Sequence, residues 1–185
     1  MIYDLNYLID LFKSNLPFME TGPTVFTFEE TLKKSQIRAN SLKDQGISAG
    51  LYVPVICKSD PSTIFEIISL WLVGATPFLI SKKDPESEIS RKKIQVGTSL
   101  EYSNEPRIIF FTSGSQGNPK PVLHTLENLI KSAQASVDFY GINSPDRYLV
   151  TLPLNHVGGL MIIIRSILAK CLCIFPENEI PFKNY

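Results

Sequence analysis

The sequence has no excess of charge of either sign. Its 18 Lys and Arg residues balance 18 Asp and Glu residues, so the formal net charge at pH 7 is zero. Proteins that bind nucleic acid or an anionic membrane surface by electrostatic attraction usually carry a basic excess. We therefore predict no nucleic-acid partner and no membrane partner. The longest apolar run, residues 157–168, is also too short to span a bilayer, and it contains Arg165.

Cysteine is scarce as well, and its number is odd: Cys57, Cys171 and Cys173. All three lie in apolar runs typical of buried strands, and alternation along a strand places Cys171 and Cys173 on one face. A Cys-x-Cys pair is able to bind a metal ion, but we favour buried free thiols, which fit a reducing cytosol. The N-terminus lacks the basic start and apolar stretch of a signal peptide, so we expect a cytoplasmic protein. We predict no metal-ligating residues.

The sequence does contain enough apolar material for one folded core, with 44% hydrophobic residues in a chain of 185. Strand-like apolar runs alternate with amphipathic or apolar helical stripes along the whole chain. These repeated βα units predict an α/β fold with a largely parallel sheet flanked by helices. The predicted strands lie at residues 52–57, 76–80, 108–111, 147–152 and 171–175, with a further short strand after Lys120.

Local signals predict where several helices begin. Thr27 and Glu30 have the spacing of a capping box, in which each side chain accepts the other residue's free N–H. Asp60–Pro61 and Asp84–Pro85 each combine an N-cap residue with a proline at the first helical position. A loop between the first two helices is predicted at residues 17–23, because this stretch contains Pro17, Gly22 and Pro23.

A polar loop follows the apolar run that ends at Phe111. Residues 112–118 are only Thr, Ser, Gly, Gln and Asn, and Pro119 and Lys120 come next. Glycine allows the backbone to approach a ligand closely, hydroxyl groups donate hydrogen bonds, and lysine supplies a compact cation. The pattern predicts a phosphate-binding loop; the alternatives are a flexible surface turn and a solvated lysine at a strand edge. The candidate binding residues are Thr112, Ser113, Gly114, Ser115, Gln116, Gly117 and Lys120.

A second candidate loop, residues 153–159 (Pro-Leu-Asn-His-Val-Gly-Gly), follows the predicted strand 147–152. Ligands of parallel α/β sheets bind at the carboxyl ends of the strands. We therefore expect the two loops to open on the same edge of the sheet. His156 and Lys120 are the candidate catalytic residues, and the alternative for His156 is a histidine that caps its loop.

Both loops resemble motifs of the adenylate-forming enzymes, which include acyl-CoA synthetases, luciferases and peptide-synthetase adenylation domains. Residues 112–120 resemble the phosphate signature Thr-Ser-Gly-Ser/Thr-Thr-Gly-x-Pro-Lys. The sequence departs from the family at Gln116, inside the signature, and at Pro121, the residue that follows the signature. Residues 153–159 are similar to Pro-Leu-Phe-His-x-x-Gly, with Asn155 in place of the aromatic residue. Residues 119–125, Ser132–Ala133 and the second loop together are most similar to the o-succinylbenzoate–CoA ligases within this superfamily.

The resemblance implies an ATP-dependent carboxylate–CoA ligase. If its acid is o-succinylbenzoate, the enzyme would belong to menaquinone biosynthesis. The carboxylate attacks the α-phosphate of ATP, pyrophosphate leaves, and the thiol of CoA then displaces AMP. ATP, Mg²⁺ and CoA are the implied cofactor and co-substrates, and a small carboxylic acid is the other partner. The glycine-rich loop with Lys120 would hold the β- and γ-phosphates, and His156 would lie beside the acyl carboxylate and the thioester tunnel.

The resemblance also implies that residues 1–185 are the N-terminal part of an AMP-binding (adenylation) domain. The adenine-contacting turn, the ribose-binding Asp and the C-terminal domain of the family have no counterpart here, so we expect the isolated chain to lack full ligase activity. Apolar surface left open by the absent parts predicts a homo-oligomer or a second polypeptide. The alternatives are a fatty or aryl acid–CoA ligase and a non-catalytic nucleotide-binding or interaction remnant.

Overall fold

The computed structural model describes residues 4–99, 106–112 and 119–176. Helices and strands alternate through these stretches, as the sequence predicts. Their order is α1 (Leu5–Leu11), β1 (Pro17–Thr21), β2 (Thr24–Thr27), α2 (Phe28–Asp44), β3 (Tyr52–Cys57), α3 (Pro61–Leu72), β4 (Thr76–Ser81), α4 (Glu86–Ser99), β5 (Arg107–Thr112), β6 (Lys120–Thr125), α5 (Leu126–Tyr140), β7 (Arg147–Leu149), α6 (Val157–Ala169) and β8 (Leu172–Phe175).

The described strands form two four-stranded sheets, in the orders β2-β1-β8-β7 and β3-β4-β5-β6. Parallel pairs are β1 with β8, β7 with β8, β3 with β4, and β4 with β5. Antiparallel pairs occur only at one edge of each sheet among these residues, where β2 joins β1 and β6 joins β5. The predicted α/β class with largely parallel pairing is confirmed, and the strands divide between two sheets instead of forming one.

The loop predicted from Pro17, Gly22 and Pro23 is wrong for most of its length, because residues 17–27 form a β-hairpin. Only Gly22, at a φ of +53°, and Pro23 remain in its turn. Phe18 and Met19 in β1 are fully buried, and β1 pairs with β8, with Met19 opposite Cys173. The strand is therefore stabilised by a partner from the far end of the chain, which local sequence does not reveal.

Two of the three predicted helix starts are confirmed. The Thr27 N–H donates to Glu30 at 2.8 Å and the Glu30 N–H donates to the Thr27 hydroxyl at 3.1 Å, which completes the capping box of α2. Asp60 accepts the Ser62 N–H at 2.8 Å and caps α3, with Pro61 as its first residue. Asp84 does not take the predicted position, because α4 begins at Glu86 and the carboxylate binds other groups.

One large apolar cluster joins both sheets with α1, α2, α3, α5 and α6. A smaller cluster packs α4 on the other face of the second sheet, where Val96 meets Phe78, Ile80 and Ile109. The apolar helices α3 and α6 are buried along most of their length, as their sequences predict. In the part of the chain that the structure describes, no helix has both the length and the hydropathy of a membrane span.

Candidate functional site

The two sheets meet at a cavity of about 580 Å³ where several parallel strands end. β3 and β4 reach it with Cys57 and Ser81, and β8 reaches it with Phe175. The chain that follows β7 completes the wall. Cavities at the carboxyl ends of parallel strands are the usual ligand sites of α/β folds. The lining residues are Cys57, Lys58, Ser59, Ser81, Lys82, Lys83, Val150, Thr151, Leu152, Pro153, Leu154, Asn155, His156, Phe175 and Pro176.

His156 lies in this wall, directly before helix α6. Its backbone is extended, its N–H donates to the Pro153 carbonyl at 3.1 Å, and its own carbonyl accepts the Gly159 N–H at 3.0 Å. The imidazole makes no capping hydrogen bond, and the side chain is exposed. His156 therefore occupies the N-cap position of α6 through its backbone alone, and the role of its imidazole stays a prediction.

The loop before α6 is packed very tightly against the helix. A methyl group built on Gly159 would lie 2.2 Å from the Pro153 carbonyl oxygen and 2.8 Å from the Leu152 oxygen. Only glycine allows this approach of helix and loop. Sequence reasoning listed Gly159 within the motif without assigning it this role, although the Gly158–Gly159 pair after His156 was a visible signal.

Three lysines line the same cavity, and sequence reasoning missed them. Lys58 follows β3, while Lys82 and Lys83 follow β4. They belong to no motif, and they come together because β3 and β4 are parallel and in register, with Cys57 opposite Ser81. The cavity therefore offers cations beside His156, which suits carboxylate or phosphate groups.

The structure brings together the two ends of the predicted phosphate loop. Thr112 ends β5, Lys120 begins β6, and the two residues are paired across the antiparallel ladder. The Thr112 hydroxyl donates to the Lys120 carbonyl at 3.5 Å, and both side chains are exposed. β5 is parallel to β4, so Thr112 lies on the edge of the sheet at which the cavity opens, although neither Thr112 nor Lys120 lines the cavity.

The rest of that loop, Ser113, Gly114, Ser115, Gln116 and Gly117, lies outside the described residues. Their proposed phosphate contacts stay predictions. Pro121, at which the sequence departs from the family pattern, lies in β6 opposite Phe111.

All three cysteines are buried and free, as predicted. Burial raises the pKa of Cys57, in the cavity wall, and of Cys173, in β8, to about 12 each. Burial also raises the pKa of Cys171. The thiolate is the reactive form of cysteine, so these groups are poor nucleophiles in the folded chain.

We expect the folded chain to resist alkylation by iodoacetamide near pH 8. At a pKa of about 12, only about one thiol in ten thousand is ionised at that pH. Mass spectrometry should show three modified cysteines after denaturation in urea and almost none before it. Rapid modification of Cys57 in the folded chain would contradict its burial.

The comparison with known families decides which family this is. Residues 85–184, more than half of the chain, match the AMP-binding enzyme family. The chain belongs to that family. The matched segment contains the glycine-rich loop and the His156 loop, the two motifs on which the resemblance rested.

Relatives of this AMP-binding chain include two 2-succinylbenzoate–CoA ligases. The protein from Listeria monocytogenes (serovar 1/2a) is 30% identical over 175 residues, which cover 77% of this chain and 38% of the relative. The protein from Enterococcus faecalis is 33% identical over 162 residues, which cover 88% of this chain and 30% of the relative. The chain thus spans well under half the length of these relatives.

Solved structures show the same fold. O-succinylbenzoate coenzyme A synthetase from Bacillus subtilis, in complex with ATP and magnesium, has a TM-score of 0.81 at 19% identity, over 91% of this chain and 56% of that chain. VinN in complex with L-aspartate has a TM-score of 0.78 at 15% identity, over 91% of this chain and 62% of that chain. Both likenesses support the two-sheet α/β architecture described above.

Proposed function

We propose that residues 1–185 are the N-terminal part of an AMP-binding domain that acts as an ATP-dependent carboxylate–CoA ligase. Two ligases named for 2-succinylbenzoate are among the relatives, so o-succinylbenzoate is the proposed acid and menaquinone biosynthesis the proposed pathway. The observation that carries the proposal is the family match, because it spans both loops. It is supported by Thr112 and Lys120, the two ends of the glycine-rich loop, which lie at the same edge of the strands as the cavity.

The glycine-rich loop is the proposed site for the β- and γ-phosphates of ATP. Lys120 and Thr112 lie next to each other and are exposed, so a cation and a hydroxyl donor flank the loop at its two ends. Such positioned donors stabilise the charge that spreads over the phosphates when a carboxylate attacks the α-phosphate and pyrophosphate leaves. Ser113, Gly114, Ser115, Gln116 and Gly117 would add hydroxyl, amide and backbone donors between them.

Magnesium would neutralise part of the triphosphate charge in this site. The described residues contain no group of three or more His, Cys, Asp or Glu side chains that could hold a metal ion. The exposed Thr112 hydroxyl and Lys120 cation suit a nucleotide that brings its own magnesium.

The cavity at His156 is the proposed place for the acid and for the thiol of CoA. The exposed His156 residue and the three lysines line one open cavity, which suits an acyl carboxylate and its thioester. We propose the cytoplasm as the compartment, which the three buried free thiols support. The homo-oligomer stays a prediction, supported by the 81% and 73% exposure of Phe139 and Tyr140.

We expect Lys120→Ala to reduce ATP–pyrophosphate exchange at least about tenfold, because it removes the cation beside the phosphate loop. The assay uses the purified chain with magnesium and o-succinylbenzoate. Lys131→Ala is the matched control, because Lys131 is also exposed and its 2.8 Å ion pair with Glu127 lies on the surface of α5.

The outcomes separate the proposed function from its rivals. Equal loss in Lys120→Ala and Lys131→Ala would contradict the phosphate-loop assignment. Exchange with fatty or aryl acids but not with o-succinylbenzoate would identify a different ligase. ATP binding that depends on Lys120 without any exchange would support the phosphate-loop assignment, and it would fit both the non-catalytic alternative and an adenylation site that this N-terminal part leaves incomplete.

A further inference from the structure

The turn between β4 and α4 presents two of the three cavity lysines. Lys82 and Lys83 sit between Ser81 and Asp84, and the Asp84 N–H donates to the Ser81 carbonyl at 3.1 Å. In return, the Ser81 N–H donates to the Asp84 carboxylate at 3.2 Å. The Asp84 side chain therefore closes the turn, and the direction of both lysines depends on it.

A buried cation on the next helix holds that carboxylate. Lys92 is ion-paired with Asp84, and its Nζ lies 3.0 Å from Glu88. The side chains of Lys92 and Asp84 are only 7% and 14% exposed. A charged pair this far from solvent adds little net stability, because desolvation offsets the attraction, but it fixes geometry closely.

Lys92 also contacts the strand that leads to the phosphate loop. Its Nζ lies 5.1 Å from the centre of the Phe111 ring, and Phe111 is the residue before Thr112. One buried ammonium group therefore contacts both the turn that bears the cavity lysines and the end of β5.

We propose that Lys92 and Asp84 are positioning residues, whose buried ion pair holds the Ser81–Asp84 turn so that Lys82 and Lys83 attract an anionic substrate group into the cavity. The chemical class of that group, phosphate or carboxylate, rests on the proposed ligase function. Neither Asp84 nor Lys92 is among the residues that line the cavity, so both are assigned an action through the turn that bears Lys82 and Lys83.

Binding of inorganic tripolyphosphate to the 185-residue chain tests this, measured by calorimetry in a Lys120→Ala background that removes the cation of the phosphate loop. We expect Lys92→Met to weaken binding about tenfold, although both cavity lysines remain. Lys82→Ala with Lys83→Ala should weaken binding at least as much. Lys93→Met, an exposed neighbour on α4, should change nothing.

The decisive measurement is the coupling in binding free energy between Lys92→Met and the double change Lys82→Ala with Lys83→Ala. If Lys92 acts through the turn, Lys92→Met has no further effect once Lys82 and Lys83 are alanines. Additive losses, or unchanged binding in a folded Lys92→Met chain, would overturn the proposal. Lys92→Arg keeps the buried charge and should restore most of the binding.

Trypsin gives a second measurement, since it cleaves after Lys82 and Lys83. Release of the turn should speed this cleavage about tenfold in native buffer, relative to the Lys93→Met chain. Should Lys92→Met not fold, Asp84→Asn replaces it, because it keeps an acceptor for the Ser81 N–H and removes the charge. An uncleaved turn in that folded variant would overturn the proposal.

These results do not depend on turnover. Coupled binding in a chain whose ATP binding does not depend on Lys120 would leave the positioning role intact and contradict the phosphate-loop assignment on which the ligase function rests. ATP binding that depends on Lys120, accompanied by additive losses of tripolyphosphate binding, would do the reverse.

Discussion

Replacing Gly159 with alanine is expected to destabilise the chain by about 3 kcal/mol, as large overpacking changes do. The new methyl group would lie 2.2 Å from the Pro153 carbonyl oxygen and 2.7 Å from its carbon, and both are backbone atoms that no rotamer change moves aside. Helix α6 must therefore withdraw from the loop that carries His156. Urea denaturation followed by circular dichroism measures the change in unfolding free energy.

Two other glycines are matched controls for Gly159. At Gly158 the nearest atom to a new methyl group is the Leu152 Cδ1, at 2.9 Å, which ends a flexible side chain, so we expect a cost below about 1 kcal/mol. At Gly97 in α4 nothing lies within 4 Å, and alanine should stabilise the helix by about 0.5–1 kcal/mol. Equal stability of Gly159→Ala and Gly158→Ala would contradict the tight packing of this loop.

Most helices and strands of the second sheet could be predicted because their signals are local. Alternation, apolar stripes, caps and glycines lie within a few residues of each other, as at Thr27 and Asp60. The β1–β2 hairpin and the division into two sheets could not be predicted in this way. They depend on β8 pairing with β1, which joins Met19 to Cys173 across most of the chain.

The residues of the candidate site also differ in whether local sequence could predict them. Thr112, Lys120 and His156 stand in recognisable motifs, and the fold directs them toward one edge of the strands. Lys58 and the Lys82–Lys83 pair have no shared spacing, and only the register of β3 with β4 brings them to one cavity. A cluster made by strand pairing leaves no pattern in a single sequence.

Asp84 shows how a tertiary contact overrides a local rule. Asp followed by Pro is a common helix start, and at Asp60–Pro61 the rule holds. At Asp84 the carboxylate instead binds the Ser81 N–H and the buried Lys92 ammonium. An unpaired buried lysine would cost more than a missing N-cap, so the ion pair prevails.

Replacing Trp71 with alanine is expected to cost about 3–5 kcal/mol of unfolding free energy, the usual range for a buried tryptophan. Trp71 is 2% exposed and packs in the core that joins both sheets. Its indole N–H also donates to the Arg107 carbonyl at 2.9 Å, which ties α3 to the first residue of β5. Urea denaturation measures the loss, and the same strand leads to the phosphate loop at Thr112.

Trp71→Phe removes the indole donor while keeping part of the aromatic packing. It keeps an aromatic ring but leaves the Arg107 carbonyl without its indole donor, so we expect a smaller cost of about 1–3 kcal/mol. Phe139→Ala, measured at a protein concentration where the chain is monomeric, is the control for loss of an aromatic side chain, because Phe139 is 81% exposed and should then change stability by less than about 0.5 kcal/mol. If Trp71→Phe matched the unmodified chain, the hydrogen bond would not anchor β5, and packing alone would account for the burial of Trp71.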